Sequence, residues 1–109
     1  MRLRASYTAV VERNTLVSGC FESEPYECGW ASEAILFARV LSGDLTGIRF
    51  QVQISPDGMN WCNEGSSFEM LACGEVAFVK VKHFGNWLRV AADTKNKSGK
   101  LILTLHMKE

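Results

Sequence analysis

Residues 48–61, which read IRFQVQISPDGMNW, carry the clearest indication of the fold in this chain. Apolar and polar side chains alternate strictly over residues 48–54, which is the pattern of a strand with one buried and one solvated face. Residues 55–58 (SPDG) then carry the signals of a type I turn, with proline at its second position and glycine where a positive φ is wanted. The stretch therefore predicts a strand, a tight turn and a short second strand over residues 60–63.

The same period-2 alternation recurs through most of the chain, whereas helical periodicity is nearly absent. The further alternating segments are residues 3–11, 77–82, 87–92 and 101–108. Runs of turn-forming residues separate the segments at residues 42–47, 83–86 and 93–99. About seven to eight short strands, with turns roughly every ten residues, indicate an all-β fold. We predict a single small antiparallel β-sandwich, jelly-roll-like, over residues 1–109.

Two segments depart from the simple alternation. Residues 34–41 (AILFARVL) are apolar on both faces. This strand is therefore either central and covered on both sides, or its outer face meets another subunit. Residues 14–32 are the least regular part of the chain, and we predict a long loop there with a short strand near residues 16–21.

The composition excludes several classes of protein. The chain has 109 residues, 47% of them hydrophobic, which excludes a disordered chain and is enough for a core. Lys and Arg number 12, and Asp and Glu also number 12. A net charge of zero argues against nucleic-acid binding, which needs a cationic face, and allows subunits to associate.

The sequence also argues against a membrane segment and a signal peptide. No run approaches the roughly 20 apolar residues of a membrane span. Ser6 and Thr8 interrupt the first apolar run, whereas a signal peptide needs an unbroken one. We therefore expect synthesis in the cytoplasm, with no membrane partner.

Charge is distributed unevenly along this neutral chain. Acidic residues concentrate over residues 22–33. Five lysines form a basic cluster if the sheet brings them together, namely Lys80, Lys82, Lys95, Lys97 and Lys100. Such lysines either solvate a face and discourage sheet-to-sheet pairing, or meet the acidic segment of a neighbouring copy.

The four cysteines are Cys20, Cys28, Cys62 and Cys73, and their spacings differ from those of structural zinc sites. In a reducing compartment, cysteine most often packs as a small buried residue, so we expect buried free thiols. Disulfides and a metal site are the two alternatives.

No residue pattern indicates an enzyme. His83 lies in a predicted turn near Asn86, but nothing in the spacing supports a nucleophilic triad with a cysteine. His106 lies on the wetter face of the last strand. The carboxylates are scattered singly, and Asp44 and Asp57 lack the Asp-x-Asp spacing of a calcium loop. With no phosphate-binding glycine loop either, we predict no catalytic residue, no cofactor and no metal.

The order of the motifs resembles a recurrent small β-sandwich module of bacteriophage virion proteins. The resemblance covers roughly residues 34–108 and rests on AILFARVLSG, IRFQVQISPDGMNW, FVKVKHFGNWLRVAADT and LILTLHMKE. It implies a non-enzymatic structural or decoration protein that forms a homo-oligomer or cements a larger protein assembly, on a virion or particle surface. Five residues are expected to make the contacts: Tyr26, Trp30, Ile35, Phe37 and Leu41.

The turn motif also resembles the hairpin of discoidin-like carbohydrate-binding domains, which are longer than this chain. This resemblance implies an alternative function, carbohydrate binding, in which aromatic rings stack on sugar rings. The residues expected at such a site are Trp61, Trp87 and Asp57. Packing in the core or at an interface is the competing role for these tryptophans.

Overall fold

The computed structural model describes residues 6–82 and 84–109, and within them every regular element is a strand. The strands are β1 (Ser6–Glu22), β2 (Tyr26–Glu27), β3 (Glu33–Asp44), β4 (Arg49–Ser55), β5 (Cys62–Glu69), β6 (Val76–Lys82) and β7 (Trp87–Lys108). All the pairings are antiparallel, and the sheet is nearly closed. The predicted all-β antiparallel fold is confirmed. Leu3 and Ala5, predicted to lie in a strand, and His83, predicted to lie in a turn, are outside the described residues.

The 22-residue strand β7 organises the sheet because its two halves pair with different neighbours. Its first half pairs with β4 on one side and with β2 and the end of β1 on the other. Its second half pairs with β3 on one side and with the start of β1 on the other. The strand order β5-β4-β7-β3-β6 follows, and the two halves of the sheet enclose one core.

The predicted turn over residues 93–99 is wrong, because these residues are part of β7. The turn-forming residues make an irregularity in the pairing instead of a chain reversal. The register between β1 and β7 shifts there, and Lys95 has φ 57°. The Asp93 carboxylate accepts a hydrogen bond from the Lys95 N–H at 2.9 Å. Thr94 Oγ1 accepts one from the Gly19 N–H at 2.6 Å, which holds the two strands together at this point.

The strand predicted near residues 16–21 is present, but the loop predicted before it is wrong, because β1 runs from Ser6 to Glu22. Register shifts between Val10 and Glu12 and between Glu12 and Thr15 interrupt the alternation along β1. As a result, Glu12 is buried, although it belongs to the set of residues that faces solvent before the shifts. Because of these irregularities, strict period-2 alternation did not predict β1 as one long strand.

The core lies on the inner faces of β3, β4 and β7, as the alternation predicted. Phe50 and Val52 of β4 are fully buried. On β7, Leu101, Leu103 and Leu105 are each at most 1% exposed. Burial of each such side chain contributes about 1.5–3 kcal/mol. The fully buried polar residue Thr94 keeps its hydroxyl hydrogen-bonded to the backbone of Gly19.

Candidate functional site

The side of the sheet that faces away from the core carries an apolar surface, which we call the outer face. It is formed by β1, β7, β3 and β6 where they lie side by side. Because side chains alternate along a strand, burial of the inward set on β3 (Ala34, Leu36, Ala38) directs Ile35 and Phe37 outward. Four neighbours share the outer face with them: Val10, Val76, Phe78 and Ile102.

The outer face has a rigid apolar centre. The Phe37 and Phe78 rings lie opposite each other on β3 and β6, with centroids 6.0 Å apart. The His106 imidazole packs edge-on against Phe37 at 5.1 Å and hydrogen-bonds to Thr8 and Thr104 at 3.2 and 3.1 Å. These contacts fix the rings before any partner arrives, so little side-chain entropy remains to be lost on binding.

This centre is accessible to solvent. Phe78 is 54% exposed and Val76 is 52% exposed, while Ile35 and Phe37 are half-buried. Single exposed apolar residues are ordinary on a protein surface, whereas large contiguous apolar patches are rare on soluble monomers.

One end of the outer face is basic. Lys80 and Lys82 of β6 and Lys108 of β7 are all exposed at this end. The pairing register places Glu33 between Lys82 and Lys108. Ile35 lies next to Lys80, so the apolar centre continues directly into the basic end.

The structure places the five residues expected at an interface in two regions. Ile35 and Phe37 lie in the outer face, and Leu41, which is 39% exposed, lies farther along β3 near a register shift. Tyr26 and Trp30 lie outside the outer face, in an aromatic groove. Sequence reasoning missed Val76 and Phe78, although an apolar residue on the solvated side of the predicted β6 strand was a usable signal.

Tyr26 and Trp30 belong to an aromatic groove of about 630 Å³, lined also by Tyr7, Pro25 and Glu27. The Tyr7 and Tyr26 rings stack with centroids 6.5 Å apart. Burial, together with a hydrogen bond to Tyr7, raises the pKa of Tyr26. Trp30 is 43% exposed, so the groove presents an aromatic surface to solvent.

The residues expected in a carbohydrate site are held by contacts within the chain. The Arg89 guanidinium lies over the Trp61 ring at 4.2 Å from its centroid. Trp87 packs so closely on Gly58 that a Cβ there would lie 3.2 Å from its ring. The Asp57 carboxylate accepts hydrogen bonds from Asn60 and other groups of its own turn, which hold its pKa well below the usual range. Carbohydrate binding by these residues stays a prediction that no contact here favours.

The groups considered for catalysis and metal binding are dispersed. Among residues 6–82 and 84–109, no group of three or more His, Cys, Asp or Glu side chains is placed to hold a metal ion. Asp44 accepts a hydrogen bond from the Thr46 N–H at 3.0 Å, and hydrogen bonding to Thr46 lowers its pKa. Within the same part of the chain, no helix is long and apolar enough to cross a membrane.

The expectation of four buried thiols is wrong for three of them. Cys28 is buried, whereas Cys20, Cys62 and Cys73 are exposed, and all four are free. Burial, together with the nearby Glu27 carboxylate, raises the pKa of the Cys28 thiol to about 12.

This difference predicts a simple thiol titration. With the aromatic disulfide DTNB at neutral pH, we expect three thiols per native chain to react rapidly, because the thiolate is the nucleophile and must be accessible. Cys28 reacts only after denaturation, and Cys28→Ala should keep all three rapid equivalents. Four rapid equivalents in the native protein would contradict this assignment.

The fold is similar to those of two solved structures. It is similar to the SPBc2 prophage-derived protein YomS, with a TM-score of 0.68 at 9% identity, covering 100% of this chain and 97% of that one. It is also similar to a subunit of Bacillus endospore appendages, which form disulfide-linked pili. There the TM-score is 0.51 at 14% identity, over 97% of this chain and 90% of that one. At such identities the likeness establishes the fold alone.

The chain belongs to the family described as a domain of unknown function (DUF6385), whose model matches residues 40–108. None of the curated proteins matches the chain in sequence. The prophage neighbour agrees with the broad resemblance to phage proteins, whereas nothing in these comparisons supports a discoidin-like relationship.

Proposed function

We propose that the protein is a non-enzymatic structural subunit that self-assembles within a larger particle, and that the outer face is a contact surface. The observation that carries the proposal is the exposed apolar centre of that face, with Phe78 and Val76 each more than half accessible. Covering apolar surface contributes about 25 cal/mol per Å² removed from water, which favours association through this patch.

The structural neighbours further support this function. The fold is similar to a prophage-derived protein and to a subunit of pili, and a pilus is itself an assembly of repeated subunits. The proposal treats residues 1–109 as one domain, with Ile35 and Phe37 at the contact.

Sedimentation velocity over a wide range of protein concentration tests the proposal. The wild-type chain should associate as concentration rises, and Phe78→Glu should weaken association at least about tenfold, because it places a charge in the apolar centre. Met59→Glu is the matched control, since Met59 is 78% exposed and lies in the turn between β4 and β5. A strictly monomeric wild-type protein, or equal association of Phe78→Glu and wild type, would overturn the proposal.

A further inference from the structure

We infer that the outer face of one copy docks on the acidic edge of a second copy of the chain, so that copies associate head to tail. The acidic edge is defined here as Glu24, Tyr26, Glu27 and Trp30, and it includes part of the aromatic groove. This inference rests on the proposed function and specifies its partner.

The charges of the outer face disfavour contact between two identical faces. If the same ends met, Lys80, Lys82 and Lys108 of one copy would face the same three ammonium groups of the other, and Glu33 and Glu109 would offset only part of that charge on each. If opposite ends met, the lysines would face the end of β3 and β6 that carries Arg39 and Glu75, whose charges cancel. Neither orientation brings net opposite charge to the lysines, and opposed charges are what steer and align an interface.

The acidic edge offers that opposite charge. The sequence contains no Lys or Arg from Asn14 to Ala38, although it contains four glutamates there. Glu24 and Glu27 are both exposed at this edge. Glu22 is exposed as well, but its carboxylate pairs with the Arg89 guanidinium at 2.6 Å. Glu27 accepts a hydrogen bond from the Gly29 N–H at 3.0 Å but has no cationic partner in the described contacts, so we assign the contact to Glu24 and Glu27.

The two surfaces also match in their apolar parts. The acidic edge shares Tyr26 and Trp30 with the aromatic groove, and the outer face presents Phe37 and Phe78. Tyrosine and tryptophan are among the residues most enriched at positions that dominate binding energy. Each surface therefore combines an apolar centre with charge on its rim, and the signs of the two rims are opposite.

The two surfaces share no residue, although they adjoin in each copy, because Ser6 of the aromatic groove pairs with Lys108 of the basic end. A contact between two different surfaces repeats from copy to copy, and it forms a ring if the rotation closes or a filament if it does not. Head-to-tail association is thus the geometry that a basic face and a separate acidic edge on one neutral chain favour.

Exchange of the charges tests the contact directly. We expect Lys80→Glu/Lys82→Glu and Glu24→Lys/Glu27→Lys each to weaken association at least about tenfold in sedimentation velocity. The chain that carries all four substitutions should recover association to within about threefold of wild type, because the opposite charges are restored. Added salt should weaken the wild-type contact, since it screens exposed charges.

Three measurements keep the test decisive. Lys95→Glu/Lys97→Glu changes the net charge equally and lies at the irregular part of β7. It also removes the contacts of Lys97 with Asp44 and Thr46, so unchanged association is expected for the folded variant. Neutral substitutions should also weaken association, as the charge reversals do, in the pairs Lys80→Gln/Lys82→Gln and Glu24→Gln/Glu27→Gln. Far-UV circular dichroism checks that each variant is folded.

The outcomes separate this inference from the proposed function. If Phe78→Glu abolishes association but the charge exchanges leave it unchanged, the outer face is a contact surface and the acidic edge is not its partner. If the lysine pair matters but the glutamate pair does not, or if the fourfold variant fails to recover, docking on the acidic edge is overturned. If Phe78→Glu associates like wild type, both ideas fail together.

Discussion

Replacement of Phe50 with alanine is expected to lower the free energy of unfolding by about 3–5 kcal/mol. Phe50 is fully buried on β4, and its ring packs against Phe68 at 5.4 Å and Phe21 at 6.1 Å between centroids. Its removal leaves a cavity between rings that β1, β4 and β5 hold in place. Since domains of this size are stable by only about 5–15 kcal/mol, the variant should be close to unfolded at physiological temperature.

Urea denaturation followed by tryptophan fluorescence measures this loss, at a concentration where the chain is monomeric. Phe78→Ala removes the same atoms from a side chain that is 54% exposed, so we expect a change of about 0.5 kcal/mol or less. Comparable losses from the two variants would show that Phe50 is not a centre of the core.

Gly43→Ala should be the most damaging conservative change in the sheet, with a loss of about 3 kcal/mol or more. Gly43 has φ +83°, and a Cβ there would lie 2.6 Å from the Gly99 Cα and 2.7 Å from the Ser98 carbonyl oxygen. Both obstacles are backbone atoms of β7, so relief requires β3 and β7 to separate. The left-handed conformation adds about 1–2 kcal/mol of its own for a residue with a Cβ.

Gly47→Ala separates these two causes. Gly47 has φ +80°, nearly the same conformation, but a Cβ at this position would meet no atom within 4 Å beyond its own chain neighbours. We expect only the conformational cost, about 1–2 kcal/mol, from thermal and urea unfolding. Equal losses at the two glycines would mean that the close approach of β3 and β7 contributes nothing to the difference.

Period-2 patterning was sufficient to predict the strands that alternate without interruption. β4 and the second half of β7 each place one regular set of side chains in the core. The alternation of apolar and polar residues in their sequences therefore matches the alternation of buried and exposed side chains. The pattern failed where the backbone is irregular. A bulge moves every following side chain to the opposite face, and the shifts near Glu12 in β1 and near Lys95 in β7 did this without ending either strand.

The candidate site was predicted only in part, for a different physical reason. The apolar residues on both faces of β3 identified Ile35 and Phe37. More apolar residues than one buried face needs can be recognised in the sequence of a single strand. The pairing of β3 with β6, which brings Phe78 opposite Phe37, depends on which strands are neighbours. The exposure of the cysteines likewise depends on tertiary placement, and Cys28 alone has the buried position expected of all four.

The pairing of β1 with β7 also determines when the outer face can exist. These two strands lie at opposite ends of the described chain, yet they are neighbours in the sheet. Strand pairs so distant in sequence form slowly, because a long loop must close before the first contact stabilises it. During synthesis, the four-stranded surface is completed only after β7 has left the ribosome. A nascent chain therefore lacks the proposed contact surface, and we expect assembly through that surface to wait until each subunit has finished folding.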